Sequence, residues 1–200
     1  MVDYFALFGE SRRPWLDPDQ LKAKFIALSQ EIHPDRTHGS SAEEKQRAQD
    51  RYTELNRAYQ TLREPKDRLA HLLELETGLK PTAIQTAPEE LMKVFLQIGT
   101  VCRETDQFIE HKKTVTSPLL QVDLFGRAQE LTARIQQLQQ DVRRRTNDAE
   151  RALRLFEDGR KDDVDTAPIR RAELEESYRT FSYLTRWNAQ LQERLVQLAL

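Results

Sequence analysis

The chain has 200 residues, of which 38% are hydrophobic and 32% are charged, and its formal net charge is -2. This balance gives no overall basic field for nucleic acid, and the single cysteine, Cys102, excludes an intramolecular disulfide and a multi-cysteine zinc site. No stretch is apolar enough to span a bilayer, and the N-terminus lacks the layout of a signal peptide. We therefore expect a cytoplasmic protein that has neither nucleic acid nor membrane as a partner.

The first 77 residues predict four helices, two of which form an antiparallel hairpin. The chain has only 6 glycines, and its long runs without turn signals indicate an all-α fold. Asp17 begins one hairpin helix, and a capping box of Ser41 and Glu44 begins the other. Their apolar stripes recur at helical spacing and must face each other across a short link. A short helix over 3–9 and a further helix after Pro65 complete the predicted N-terminal domain.

The link between the hairpin helices contains His33, Pro34 and Asp35, which we call the His-Pro-Asp triplet. Pro34 disfavours helical geometry at His33 and cannot itself continue a helix, so the first hairpin helix ends at or just before His33. A rigid proline followed by an acid, at the tip of a hairpin, gives a fixed polar protrusion. A plain helix stop with a solvated histidine is the alternative, and the lengths and faces of the flanking helices argue against it.

The second half of the chain, residues 89–200, predicts an antiparallel three-helix bundle. Residues 78–88 contain glycine and prolines without a helical stripe, and they are assigned to a linker. Three amphipathic helices follow, over about 89–112, 120–156 and 167–198, and short connections between long helices favour antiparallel packing. A dimeric coiled coil would need a stricter repeat of apolar positions, and self-association of the bundle is left open.

Several large apolar residues of the bundle lie off its core stripes. On a helical wheel, Met92 and Leu96 lie a quarter-turn or more from the stripe of the first bundle helix, and Phe95 lies on its shoulder. In the last helix, Tyr183 and Trp187 lie off the leucine stripe. A cluster of exposed methionine and aromatic residues suggests a partner surface. Packing against the N-terminal domain is an equal alternative from the wheel alone.

The hairpin with its His-Pro-Asp triplet, followed by the segment 55–62, resembles the J domain of DnaJ-type co-chaperones. The opening stretch 3–9, the Leu-Arg-Glu-Pro step at 62–65 and the C-terminal three-helix domain make the chain resemble the HscB family more closely. In that family the J domain stimulates ATP hydrolysis by a DnaK-type chaperone, HscA. The C-terminal bundle delivers IscU, the scaffold protein on which iron–sulfur clusters are built. The resemblance implies a co-chaperone without a cofactor or catalytic residues of its own.

The resemblance also implies two binding sites. The residues implied to bind the chaperone are the triplet and the basic residues near it: His33, Pro34, Asp35, Lys22, Lys24 and Arg36. Four residues fall where the family has its apolar scaffold contacts: Leu91, Met92, Phe95 and Tyr183. The off-stripe Leu96 is assigned to the same scaffold-binding surface. This match favours a partner surface over domain packing for the off-stripe residues.

The chain departs from the family's pattern in three respects. Ile26, Ala27 and Glu31 stand where J domains often have lysine or arginine, so this face would hold an acidic chaperone surface less strongly. Leu96 and Gly99 occupy two places where the family's scaffold-binding helix carries acids. The second bundle helix and the connection after it look longer than in bacterial relatives.

An enzyme that uses His33 and Asp35 as an acid–base pair or as metal ligands is an alternative from another functional class. The sequence gives it little support, since it has no Gly-rich phosphate loop, no His-Glu-x-x-His motif and no metal site with enough ligands. A general J protein for misfolded clients is a further alternative. It predicts a Gly/Phe-rich linker and a cysteine-rich client-binding region, which the sequence lacks.

Overall fold

The computed structural model describes residues 2–32, 41–81, 88–158 and 167–199, and every regular element within these ranges is a helix. The predicted all-α fold, a hairpin domain followed by a helical bundle, is confirmed. The α-helices in these ranges are α1 (Tyr4–Leu7), α2 (Pro18–Glu31), α3 (Ala42–Arg63), α4 (Pro65–Thr77), α5 (Met92–Thr114), α6 (Pro118–Asp158) and α7 (Ala167–Ala199). A 3-10 turn, Glu89–Leu91, leads directly into α5.

The chain divides into two compact units. The first unit comprises Met1–Thr82 and Ala152–Tyr178, and the second comprises Ala83–Arg151 and Arg179–Leu200. The end of α6 and the beginning of α7 thus group with the N-terminal helices, whereas the rest of both helices groups with α5. Neither helix is interrupted at this division. The limits of the functional domains, 1–77 and 89–200, stay a prediction.

Local capping determines where the N-terminal helices begin. The Asp17 carboxylate accepts hydrogen bonds from the backbone N–H groups of Asp19 and Gln20, both at 3.0 Å. The Ser41 hydroxyl accepts from the Glu44 N–H at 3.3 Å, and the Glu44 carboxylate accepts from the Ser41 N–H at 2.9 Å. Such side chains satisfy N–H groups that have no partner within the helix, which stabilises each start by about 1 kcal/mol. Both predicted caps are confirmed.

The hairpin of α2 and α3 closes on an apolar interior. Leu21 of α2 and Leu55 of α3 are each only 2% exposed. The rings of Phe25 and Tyr59 stack across the hairpin with centroids 4.2 Å apart, and stacked aromatic pairs add about 1 kcal/mol to the burial of their surface. Helix α1 inserts Phe5, which is fully buried. The hairpin is therefore a rigid support for the link between its two helices.

A buried arginine connects three segments of the first unit. Arg68 of α4 is only 4% exposed. Its guanidinium donates to the carbonyl oxygens of Pro14 at 2.8 Å and of Leu62 at 2.6 Å. Because buried charge is costly unless it is hydrogen-bonded, these contacts fix the loop after α1 and the step from α3 to α4 around one side chain.

A second buried polar group, His71 of α4, holds α1 in place. Its Nε2 accepts a hydrogen bond from the backbone N–H of Tyr4 at 3.1 Å, and its ring stacks on those of Tyr4 and Phe5. This contact requires a neutral imidazole with an unprotonated Nε2. Burial lowers the pKa of His71 below its ordinary value of 6.5, against the opposing effect of the nearby Asp3 and Glu74 carboxylates.

His71 should make the first unit sensitive to acid. Because its pKa is lower in the folded chain, the unfolded chain takes up the proton more readily below pH 6.5. The contribution of the neutral His71 to the free energy of unfolding is thus present above pH 6.5 and is lost as the pH falls toward the folded-state pKa. In His71→Leu, we expect a lower melting temperature near neutral pH and a weaker dependence on pH below 6.5. Thermal melts across that range test this, and His111→Leu, at an exposed histidine, is the matched control for loss of an imidazole.

In the second unit, α5 and α7 run in the same direction. Near the start of α5, the ring of Phe95 lies 6.3 Å from that of Trp187. Further along α5, the Asp106 carboxylate accepts a hydrogen bond from Arg194 at 2.7 Å. Both helices therefore advance from the first contact to the second.

Helix α6 runs opposite to these two. Leu96, near the start of α5, shares a groove with Arg144, whereas Gln107, further along α5, shares one with Arg127. Since α6 residue numbers fall as those of α5 rise, the two helices are antiparallel. The predicted antiparallel three-helix bundle is confirmed.

One apolar cluster fills the bundle. Burying each large apolar side chain contributes about 2 kcal/mol. The buried members of this cluster are Leu91, Val94, Ile98, Val101, Cys102, Phe108, Leu131, Ile135, Val142, Tyr183, Leu184, Trp187, Leu191 and Leu198. Burial also raises the pKa of the Cys102 thiol, so this cysteine is a core residue and a poor nucleophile.

Candidate functional site

Two helix ends flank the His-Pro-Asp triplet. Helix α2 ends at Glu31, where the N–H of the capping residue Ile32 bonds the Leu28 carbonyl at 3.2 Å. Helix α3 begins after the Ser41 cap. Of the residues predicted to bind the chaperone, His33, Pro34, Asp35 and Arg36 lie outside the described residues. Their assignment stays a prediction.

The two predicted chaperone-binding lysines of α2 differ in their surroundings. Lys22 is exposed. Lys24 donates to the Glu10 carboxylate at 2.6 Å, and that carboxylate also accepts from Arg13 at 2.6 Å. Lys24 therefore holds the segment after α1 against α2, and its charge is largely satisfied within the chain. Ile26, which stands where J domains often have a basic residue, is 46% exposed.

The first turns of α5 carry an exposed apolar surface, which we call the α5 patch. It consists of Met92, Phe95 and Leu96, which are 40%, 42% and 61% exposed. The intervening Val94 is 1% exposed and belongs to the core. The wheel's placement of these three residues off the core stripe is thus confirmed. A contiguous apolar surface on a helix is a common feature of partner-binding sites.

Two other predicted scaffold-binding residues are buried in the bundle. Leu91 is 5% exposed and Tyr183 is 4% exposed. The expectation that Tyr183 and Trp187 are exposed is wrong, since Trp187 is only 2% exposed. Helix α7 packs against both other bundle helices, so it buries a wider arc than the single leucine stripe of the wheel. Leu91 and Tyr183 can therefore support a binding surface but offer little area of their own.

The buried aromatic residues lie directly beneath the α5 patch. The Phe95 ring lies 6.3 Å from that of Trp187, which lies 5.4 Å from that of Tyr183. The Arg186 guanidinium covers the Tyr183 ring at 5.1 Å from its centroid. Phe95 is thus in contact with the buried aromatic pair while 42% of it remains exposed. The helical wheel did not predict that Tyr183 and Trp187 pack beneath Phe95. Their spacing of four residues on one helix was a signal that the two rings contact each other.

A groove between α5 and α6 continues from the α5 patch, and we call it the α5–α6 groove. Leu96 belongs to both, and Val101 and Leu138 extend the apolar lining. Arg134 and Arg144 line the same groove. The patch and groove together form one surface. Its apolar part is the α5 patch, and the groove adds the two arginines together with Asp141 and four uncharged polar residues.

The described residues show neither a metal site nor a membrane span. No group of three or more His, Cys, Asp or Glu side chains within these ranges could hold a metal ion. Over the same residues, no helix combines the length and apolar character needed to cross a membrane.

Residues 3–71 match the family model of the DnaJ domain. Over 110 residues, 55% of the chain, the sequence is 33% identical to the co-chaperone protein HscB of Proteus mirabilis (strain HI4320). Over 95 residues, 46% of the chain, it is 41% identical to an HscB homolog of Azoarcus sp. (strain BH72). These matches span 62% and 52% of the two relatives' lengths.

The fold resembles two solved HscB structures. The chaperone HscB from Vibrio cholerae aligns over 98% of this chain and 99% of its own, with a TM-score of 0.58 and 18% identity. The human co-chaperone protein HscB aligns over 96% of this chain and 82% of its own, with a TM-score of 0.55 and 19% identity. At this level of identity, the likeness establishes the fold. Together with the DnaJ match and the related sequences, it confirms the predicted resemblance to HscB.

Proposed function

We propose that this chain, an HscB-like protein with a DnaJ domain, is a co-chaperone of iron–sulfur cluster assembly. It stimulates ATP hydrolysis by a DnaK-type, HscA-like chaperone, and it delivers an IscU-like scaffold protein to that chaperone. The observation that carries the proposal is the combination, in one chain, of a DnaJ domain over residues 3–71 with a bundle that exposes an apolar patch on α5. We further propose that it works in the cytoplasm.

The DnaJ match supports the chaperone-binding part of the proposal. It contains the His-Pro-Asp triplet and the hairpin helices on both sides of it. In this proposal His33 and Asp35 contact the chaperone and favour the conformation that hydrolyses ATP. A partner can shift such an equilibrium only through different affinities for the two conformations, so the triplet acts by binding and performs no chemistry.

The names of the relatives and the exposed residues of α5 support the scaffold-binding part. The related sequences and both solved structures are named as HscB proteins. Met92, Phe95 and Leu96 present apolar area without a buried role of their own. Methionine and aromatic residues dominate the energetics of many interfaces. Leu91 and Tyr183 support this surface from the core.

ATPase measurements with the full chain test the proposal. The chain alone is expected to show no ATP turnover. Mixed with an HscA-type chaperone it should accelerate hydrolysis, and addition of a cluster-free IscU-type scaffold should accelerate it further, because delivery of the scaffold adds to the DnaJ-domain effect. A chaperone rate unaffected by the chain would contradict the chaperone role. Stimulation that the scaffold does not increase would contradict the delivery role.

A further inference from the structure

Two basic residues of α5 lie within or close to the α5 patch and are available to a partner. Lys93 lies within the patch's stretch of sequence, and Arg103 lies two turns after Leu96 on the same side of the helix. Both side chains are exposed, and neither has an ion-pair partner among the described residues.

The acids close to this surface are already paired within the chain. Asp106, one turn after Arg103, accepts from Arg194 at 2.7 Å. Glu104 accepts a hydrogen bond from Arg134, which lowers the pKa of the Glu104 carboxyl. Because each of these ion pairs is neutral as a unit, neither adds a net negative charge beside Arg103.

The α5–α6 groove likewise carries more basic than acidic side chains. Its one acidic lining residue, Asp141, accepts hydrogen bonds from Arg144 and, at 3.1 Å, from Arg145. The Arg144 side chain is 69% exposed, and its bond to Asp141 lies within one turn of the same helix. Exposed pairs of this kind contribute little to stability, so the Arg144 guanidinium is available to reorient toward a partner.

Helix α7 adds no negative charge beside the patch. It has no acidic residue between Arg179 and Gln192, and Arg186 lies over the Tyr183 ring at 5.1 Å. Two exposed acids, Glu89 and Glu90, precede the patch on the 3-10 turn. The positive side of the surface is thus the one that faces away from this turn, toward Arg103 and Arg144.

We propose that this surface, the α5 patch together with the α5–α6 groove, binds a partner face that is apolar at its centre and acidic beside it. The inference rests on the proposed function and specifies the scaffold's side of the contact: its carboxylates would lie against Arg103 and Arg144. Complementary charges around an apolar contact set the orientation of a partner and discriminate against partners of the wrong charge. A scaffold whose contact face is basic would be rejected.

Charge reversal at two neighbouring arginines tests the inference. Arg144 lines the groove, whereas Arg143 is exposed and does not line it, so Arg144→Glu and Arg143→Glu make the same change in net charge at different faces of α6. The probe is a cluster-free IscU-type scaffold from the same organism, and calorimetry measures its dissociation constant for the full chain. We expect Arg144→Glu to weaken binding roughly fivefold or more and Arg143→Glu less than about twofold. Arg144→Gln should lie between, and thermal melts should show that all variants remain folded.

Salt dependence gives a second readout of the same contact. The affinity of the wild-type chain should fall as salt concentration rises, and the fall should be shallower for Arg144→Glu, because ions screen the attraction between exposed opposite charges. Arg143→Glu should keep the wild-type dependence.

The outcomes separate this inference from the proposed function. Equal effects of Arg144→Glu and Arg143→Glu, or tighter binding by Arg144→Glu, would overturn the acidic partner face while leaving scaffold binding in place. A scaffold that does not bind the wild-type chain at all would overturn the delivery role, and the inference with it. Sedimentation that shows wild-type dimers, lost in Arg144→Glu, would identify a second copy of the chain as the occupant and would also overturn the inference.

Discussion

Replacing His33 with glutamine is expected to reduce stimulation of the chaperone's ATPase to the level seen without the co-chaperone. In the proposed function the triplet acts by binding one conformation of the chaperone better than the other, so loss of its imidazole removes that preference. Because the hairpin is held by buried leucines and the Phe25–Tyr59 stack, the fold should not depend on this substitution. Steady-state ATPase rates, helical circular dichroism and melting temperature together test both statements.

His38 provides the matched control, since it lies in the same link between the hairpin helices but outside the triplet. His38→Gln removes the same functional group and should retain most of the stimulation. If His33→Gln stimulates the chaperone as well as His38→Gln does, the triplet does not have the assigned role. A loss that accompanies a large fall in melting temperature would instead indicate that the substitution acts on the fold.

The helix starts were predictable because capping depends on neighbouring residues. Asp17, with Pro18 after it, and Ser41, with Glu44 three residues later, satisfy helix N–H groups without help from distant parts of the chain. Helix α4 ends at Thr77, before Gly78 with its positive φ of 73°, which agrees with the predicted start of the linker at residue 78. These helix limits thus follow from residues that are close together in the sequence.

The surroundings of Tyr183 could not be predicted from one helix at a time. A wheel ranks positions by their distance from one stripe, but α7 packs against two neighbours and buries four consecutive residues at 181–184. Exposure of Met92, Phe95 and Leu96 was predicted correctly because their positions off the core stripe of α5 leave each side chain at least 40% exposed, even where Phe95 and Leu96 lie beside α7 and α6. The scaffold-binding role of all these residues stays a prediction.

The buried polar groups depend on contacts between distant segments. Arg68 bonds the Pro14 carbonyl, 54 positions away, and His71 accepts from Tyr4, 67 positions away. Nothing in the sequence around α4 distinguishes these two side chains from solvated ones. The division of α6 and α7 between two compact units is likewise a tertiary property, since each helix continues without a local break.

Met92→Ala combined with Phe95→Ala is expected to weaken scaffold binding about tenfold or more, which corresponds to about 1.4 kcal/mol. Side chains of this kind, at the centre of an interface, often contribute about 1 to 4 kcal/mol each when truncated. Both residues are at least 40% exposed, so their truncation should lower stability much less than the roughly 2 to 5 kcal/mol of a core substitution. Calorimetric binding and thermal melts on the same double variant measure the two effects separately.

Two single variants serve as controls for this result. Phe125 is 66% exposed on α6 and lies outside the α5 patch, so Phe125→Ala removes an exposed ring and should leave the affinity for the scaffold unchanged. Tyr183 is buried beneath the patch, so Tyr183→Ala should lower the melting temperature and weaken binding only through disorder of Trp187 and Phe95. A double variant that melts much earlier but binds the scaffold normally would assign Met92 and Phe95 to packing. Binding would then have to depend on the basic side of the surface, at Arg103 and Arg144, or on a different face of the bundle.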